Sequence, residues 1–578
     1  MTDIQLMILR RMRVPLLVVI IAYTIAVFGL TLMPGVDPEG RPWRLGLFDA
    51  FYVMSYTATT IGFGEVPYPY SYAQRLWMTF SIYLTVIAWA YALGAIFALT
   101  RQPAFRAALE HSRFEAGVRR LVDRFYILCG HGQSGQRLAT ALDRLGYATV
   151  VIDPNAERLR SLLVRDHAQP AVGMVGDARM PDLLETAGIR RDNCRGLVVL
   201  TADDEATQTI AIEARVLAPE LPVLVRVKSP TAQQTLADFG GVTIVNPFET
   251  FAFNFGMALD KPDMLRLEEW LTGVPGSEPP PRVEVPRGHW VLAGYGRFGM
   301  ALRERLEQAG LTWRAIDLDP ARCGSEGVVG TGKAAEALQR AGIETACGLV
   351  AGTDNDVNNL AIVMAARRLK PRLFVVIRQN QVTNRRLIDA ARPQMRFVQS
   401  EVMTHECLQL LTTPNLNRFL LRAREQSNAW AVGVCGRIRD IVGNAVPHIW
   451  LVECDPGRLG LKRALVEQRE PELTIGHLLS DPDDRRTRLP ATALMLLRNG
   501  HDHLLPDEGT ALRPGDRLLF AGAVDAEALQ SRMLDDDVLI DYARTGVERP
   551  RTWLGHWLQR GTPTMSSGAV ATQTEVRG

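Results

Sequence analysis

Apolar and polar positions divide the chain into an apolar head and a longer soluble body. Residues 14–33 form a run of 20 without a charge, enough at ~1.5 Å per residue to cross a hydrocarbon layer of ~30 Å. Arg10, Arg11 and Arg13 precede it as they would in a cleaved leader, but the run is too long for one. A second uncharged run covers residues 76–100. Between them, residues 47–59 are moderately apolar and too short to cross. A helix of that length enters a membrane only where protein surrounds it. The pattern predicts two spans with a re-entrant helix between them.

Charge orients this head. Arg101, Arg106, Arg113, Arg119 and Arg120 follow the second run, so arginine flanks both spans on one side. Both termini and the body are therefore expected in the cytoplasm, beneath a cell (inner) membrane. Neither span carries arginine at every third position, so a voltage sensor of the usual kind is not expected.

Beyond residue 124 short apolar strands alternate with amphipathic helices, and the pattern occurs twice. Phe125-Tyr-Ile-Leu-Cys runs into Gly130-His-Gly132-Gln-Ser-Gly135, and a later strand ends in Asp153. His289-Trp-Val-Leu-Ala runs into Gly294-Tyr-Gly296-Arg297-Phe-Gly299, and a later strand ends in Asp317. First glycine and acid lie 23 residues apart both times (153 − 130 and 317 − 294). Strand, Gly-x-Gly-x-x-Gly, helix, strand and acid form the Rossmann dinucleotide fingerprint. The helix N-terminus offers free N–H groups to a phosphate, and the acid is placed to accept from a ribose hydroxyl. No arginine directly follows either acid, which favours NAD(H) or another adenine nucleotide over NADP.

The repeat continues through Gly176-Asp177 and Gly330-Thr-Gly-Lys333 after a third strand. Two fourth strands run into capped helices at Asp203-Asp-Glu205 and Asp354-Asn-Asp356. Fifth strands end in Arg226 and Arg378, each able to reach a phosphate or to pair with one of those acids. The cofactor-binding candidates are Gly130, Gly132, Gly135 and Asp153, and Gly294, Gly296, Arg297, Gly299, Asp317 and Arg378. A Pro/Gly-rich linker follows residue 272. After residue 429 short strands are expected at 431–434, 448–452 and 493–497, and from residue 526 a largely disordered tail. Within it, Arg551 to Trp557 reads as a surface helix rather than a membrane-touching one.

Thr57-Ala-Thr-Thr-Ile-Gly-Phe-Gly-Glu65, between the two spans, resembles the potassium-channel selectivity filter. The resemblance implies that Thr60, Ile61, Gly62, Phe63 and Gly64 line the pore, with potassium held at Thr60, Ile61, Gly62 and Phe63. Glycine permits the backbone angles that turn successive carbonyls inward, and four copies are needed to close the cage. Phe63 stands where the commonest filter has tyrosine, Glu65 where it has aspartate, and Tyr56 where some members bury an acid. Gly94 is either a gating hinge or a site of close helix packing. Two Rossmann copies behind two spans resemble the RCK (regulator of potassium conductance) domains of ligand-gated prokaryotic channels, themselves similar to Trk uptake regulators. That implies a crossover helix after each sheet, at residues 248–271 and 401–425, and a small α+β lobe closing the chain.

The expected fold is thus an α-helical two-span pore domain, two α/β Rossmann-like RCK domains and an α+β C-terminal lobe. The expected segments are 1–13, 14–100, a connector 101–123, 124–271, a linker 272–287, 288–426, 427–525 and 526–578. A net charge of +2 gives no hint of nucleic acid. Seven scattered cysteines without metal-ligand spacing read as reduced thiols. The expected function is a homotetrameric, ligand-gated potassium channel in a lipid bilayer, with K+ as permeant ion. Its cytoplasmic ring would bind NAD(H) or an adenine nucleotide, with Ca2+ a further possibility. It is not expected to be an enzyme. The alternatives are a membrane-anchored NAD-dependent oxidoreductase, against which stands the lack of a catalytic His, Lys or Tyr beside a substrate domain, and a non-conducting transporter subunit.

Overall fold

The computed structural model describes residues 3–325, 327–466 and 471–547. The chain divides into two compact units, residues 1–127 with 147–194, and residues 128–146 with 195–578.

In the first unit, an outer helix Asp3–Leu32 and an inner helix Tyr72–Arg101 flank a short helix Leu47–Ala58. A two-residue antiparallel pair, β1 (Gly35–Val36) and β2 (Pro42–Trp43), lies between the outer helix and the short one. The outer and inner helices are long and apolar enough to cross a membrane, and only 28% and 17% of their most apolar stretches are buried. The core helix of a water-soluble domain would instead be mostly buried. Gly29 is where they pack most closely: a Cβ there would lie 1.9 Å from the Trp77 ring, and Trp77 Nε1 donates to the Ala26 carbonyl at 3.0 Å. Ser71 caps the inner helix through a reciprocal pair with Gln74. A connector helix, Pro103–Arg119, follows at once. Its end and the residues that follow are clamped by Arg191, which donates to the carbonyls of Val118 and Leu121, and by Asn193, which donates to those of Leu121 and Asp123.

The soluble strands form two six-stranded sheets of one topology. The first comprises β3 (Phe125–Cys129), β4 (Ala148–Asp153), β5 (Ala171–Val175), β6 (Cys194–Val199), β7 (Val223–Arg226) and β8 (Thr243–Val245), in the order β5-β4-β3-β6-β7-β8. The second comprises β9 (Trp290–Ala293), β10 (Trp313–Asp317), β11 (Val328–Val329), β12 (Gly348–Ala351), β13 (Phe374–Gln379) and β14 (Met395–Val398), ordered β11-β10-β9-β12-β13-β14. Every pairing in the second sheet is parallel. In the second sheet the order reverses beside β9, the switch point where a crevice opens at the carboxyl ends.

Each sheet is followed by two helices rather than one: Pro247–Asp260 and Pro262–Leu271, then Gln399–Thr412 and Pro414–Arg424. Pro262 and Pro414 account for the breaks, since proline donates no N–H and begins a helix more readily than it continues one. These helices are exchanged within the second unit. Helix Pro247–Asp260 covers helix Arg297–Gln308 of the second copy, and helix Gln399–Thr412 covers Gln133–Arg144 of the first. Phe251 meets Phe298 at 5.5 Å between ring centres, and Arg137 meets Glu401 at 3.1 Å.

Two expectations are corrected. Residues 431–434 are not a strand but part of the helix Asn428–Val442, capped by Ser427. Its buried residues Ala431, Val434, Cys435 and Ile438 recur with helical period. The strands that do follow, β15 (His448–Glu453), β16 (Ala491–Arg498), β17 (His501–Leu504) and β18 (Arg517–Gly522), form one antiparallel sheet. The tail does not begin at 526 either: helices Val524–Asp535 and Asp537–Thr545 bury Met533, Leu534 and Ile540 in the lobe's core. The segment 551–557 lies outside the described residues.

A buried acidic group sits where the exchanged helices meet. Glu268 pairs with Arg424, and burial raises Glu406. Burial, and then the charge of Glu268, push the Glu269 carboxyl up to about 7. The folded state therefore holds this proton more tightly than the unfolded state does. The group's contribution to stability falls as pH rises from about 4.5 to about 7. Glu269→Gln should flatten the pH dependence of thermal unfolding across that window; an unchanged slope would mean that Glu269 does not titrate there.

Candidate functional site

The second copy presents a crevice of about 630 Å³ at the carboxyl ends of β9, β10 and β12, lined in part by Gly296, Arg297, Asp317, Lys333, Asp354 and Arg378. The three glycines of its loop have different reasons to be glycine. Gly294 turns with φ +92°, and a Cβ there would lie 2.7 Å from the Thr353 nitrogen. A Cβ on Gly299 would lie 2.7 Å from the Gly294 carbonyl oxygen. A Cβ on Gly296 would meet nothing within 4 Å, so this position opens onto the crevice. Gly296 also caps helix Arg297–Gln308 without a side-chain hydrogen bond, leaving N–H groups for an anion.

Asp317 ends β10 and accepts from the backbone N–H groups of Tyr295 at 2.8 Å and Asp319 at 3.0 Å. These bonds fix the carboxylate beside the glycine loop while lone pairs remain for a ribose hydroxyl. Arg297 and Arg378 both rest on one ring, Phe248 of the exchanged helix, at 5.4 and 5.6 Å. Burial lowers the pKa of Arg378; Asp354 opposes that shift, and Arg297 adds to it by repulsion. Two guanidiniums crowded at a crevice edge beside a helix N-terminus form a cradle suited to phosphate. Asp356 does not pair with Arg378; it accepts from Asn380 N, Gln381 N and Asn384 Nδ2, tying down the loop after β13.

In the first copy Gly130 and Gly135 stand under the same steric demand, with Cβ positions 3.0 Å from Leu200 C and 2.2 Å from Gly130 O, while Gly132 is open. Asp153 is buried, accepts from Asn155 N at 2.8 Å and lies 3.6 Å from Arg158. Arg226 donates to the Thr201 carbonyl at 2.5 Å. Among the described residues no group of three or more His, Cys, Asp or Glu converges as a metal site.

In the head, positive φ recurs at every second residue of the loop: Thr60 at 64°, Gly62 at 67° and Gly64 at 93°. The N–H groups of Ile61 and Gly62 both turn back to the Tyr56 carbonyl, at 2.9 and 3.3 Å. Sequence reasoning missed how the loop is braced. Tyr56 donates its hydroxyl to the Gly64 carbonyl at 2.5 Å and meets the Phe63 ring edge-on at 5.4 Å. Glu65 accepts from Arg75 at 2.8 and 3.1 Å and from Tyr70 N at 2.8 Å. Gly94 lies within the unbroken inner helix, and a Cβ there would meet nothing of this chain within 4 Å.

The TrkA-N domain family matches residues 126–247 and again residues 290–393. The chain carries two TrkA-N domains. It is 25% identical over 218 residues to potassium channel protein 1 of Methanocaldococcus jannaschii, a stretch covering 38% of this chain and 64% of that channel. Over 88 residues it is 36% identical to the Trk system potassium uptake protein TrkA of Streptomyces coelicolor, covering 14% of this chain and 40% of that protein. The solved structure of the GsuK channel bound to NAD superposes with a TM-score of 0.46 at 15% identity, covering 92% of this chain and 99% of that one. The resemblance to prokaryotic potassium channels with RCK domains thus stands on the two TrkA-N domains and on a curated channel.

The open and the crowded glycine of the second TrkA-N domain should separate on mutation. Gly299→Ala drives a Cβ against backbone oxygen and should cost about 1–3 kcal/mol, seen as a fall of several degrees in Tm of the full-length protein. Gly296→Ala should leave Tm nearly unchanged. Equal shifts for both variants would contradict the assignment.

Proposed function

We propose that the chain is one subunit of a homotetrameric potassium-selective channel of the cell membrane, gated by a nucleotide bound at the TrkA-N domains. The observation that carries this reading is the alternation of positive φ at Thr60, Gly62 and Gly64. In an ordinary extended strand carbonyls alternate in direction. Reversing the sign of φ at every second residue brings them to one side, opposite the N–H groups held by Tyr56. One row of oxygens is a quarter of a cage, and a dehydrated potassium ion needs oxygens all around it. Ile61 and Phe63 are 61% and 64% exposed in the single chain, which fits a loop completed by neighbouring copies. The potassium channel of M. jannaschii supports the ion named here.

Nothing in this scheme requires covalent chemistry. A nucleotide would shift the pore only through different affinities for two ring conformations. Its fit to the second domain rests on the open Gly296, the fixed Asp317 and the paired Arg297 and Arg378. Those arginines hold Phe248, so phosphate bound between them acts on an exchanged helix. The connector helix, clamped by Arg191, is the route by which a ring would pull the inner helix.

Single-channel recording in bilayers tests both halves. Tyr56→Phe removes one hydrogen bond behind the filter, and about 1 kcal/mol of lost support should speed loss of conduction about fivefold without altering K+ over Na+ selectivity. Unchanged kinetics would remove Tyr56 from the filter's support. Asp317→Ala should weaken the response to a cytoplasmic adenine nucleotide about tenfold or more and leave selectivity alone. An unaltered dose response would take the second domain off the ligand path.

A further inference from the structure

The loop after the third strand differs between the two TrkA-N domains in a way that bears on which nucleotide is read. Asp153 pairs in register with Val175 and Asp317 with Val329, so Gly176-Asp177-Ala-Arg179 corresponds to Gly330-Thr331-Gly-Lys333. In the first domain, Arg179 is neutralised within its own loop, donating Nε and Nη2 to Asp177 at 2.6–3.0 Å. In the second, threonine stands where that acid would be, and the basic residue survives as Lys333.

The second loop also lies inward. A Cβ on Gly332 would sit 2.9 Å from the Ala293 Cβ, at the tip of β9, and 3.2 Å from Ile362 of helix Asp356–Leu369. The exposed Lys333 that follows brings its ammonium to within 3.1 Å of the Asn358 amide oxygen. Lys333 therefore lines the same cavity as the glycine loop, Arg297 and Arg378. Arg322 in that lining pairs with Asp319 at 3.3 Å, and Asp354 offsets Arg378. Arg297 rests on a ring and Lys333 on a neutral amide; with Asp317 counted, the lining's four cations exceed its three carboxylates by one positive charge.

We propose that Lys333 makes the second TrkA-N domain count phosphates: with Arg297 it holds the terminal phosphate of a nucleoside di- or triphosphate. The inference rests on the nucleotide reading of this crevice and narrows its ligand class. An ammonium on a flexible stem suits a phosphate as a point charge. A monophosphate, already met by the helix N-terminus, has no second anionic group to offer it. Each added phosphate brings at least one more negative charge into a cavity with spare positive charge. The first domain, whose equivalent base is spent on Asp177, lacks this preference.

Calorimetric titration of detergent-solubilised full-length protein with AMP, ADP, ATP and NAD at fixed salt tests it. The wild type should bind ADP about tenfold more tightly than AMP at one class of site, the scale of one charge-assisted contact. Lys333→Met should abolish that preference and leave AMP affinity within about twofold. Thr331→Asp, which restores the acid of the first domain, should do the same through neutralisation while keeping the lysine. Equal weakening of AMP and ADP by Lys333→Met, or an unchanged ADP preference, would overturn the role of Lys333 while leaving the nucleotide reading intact. No binding of any nucleotide by the wild type would overturn that reading itself.

Discussion

Along an extended segment, a row of main-chain oxygens can face one way only if the backbone reverses handedness at every second residue. Glycine does this without strain; threonine does it only under restraint. Thr60, Gly62 and Gly64 meet the requirement, and the rest of the head holds them there. The short helix ends at the point where its last carbonyls can bind the loop's N–H groups. Tyr56 reaches forward eight residues to Gly64, and Glu65 is held by Arg75 and Tyr70. In the proposed channel the two apolar helices would put such a loop in a low-dielectric setting, where unreplaced hydration is costly.

The same economy of backbone governs the crevice. At Gly294 and Gly299 strand and helix leave no room for a Cβ, whereas Gly296 stands over open space. The exchange of helices ties this geometry to the body's larger architecture. Phe248 belongs to the helix that leaves the first sheet, yet its ring is the platform for two arginines of the second. A change in the charge felt by those arginines is thereby a change in the packing of both copies.

Much of this was legible in the residues. The glycine loops, the acids 23 residues on, and the two uncharged runs each impose a pattern that few other folds share. What escaped was set by partners distant in the chain. Period alone identifies helix Pro247–Asp260 but not the copy it covers. Nothing in Phe63, which stands where the commonest filter has tyrosine, announces that Tyr56 supplies a hydroxyl to the neighbouring Gly64. Ala431-Val-Gly-Val434 alternates like a strand, and only Cys435 and Ile438 beyond it complete the helical face. The helices after residue 524 have polar surfaces that resemble a solvated tail, while Met533 and Ile540 are buried in the lobe.

The account stands or falls on whether those oxygens carry potassium. Liposomes bearing the purified full-length protein, loaded with potassium and placed in sodium, should release potassium along its gradient when cytoplasmic-face ligands are supplied, and show little sodium entry. Equal permeation of sodium and potassium, or no potassium flux with any nucleotide tried, would contradict it.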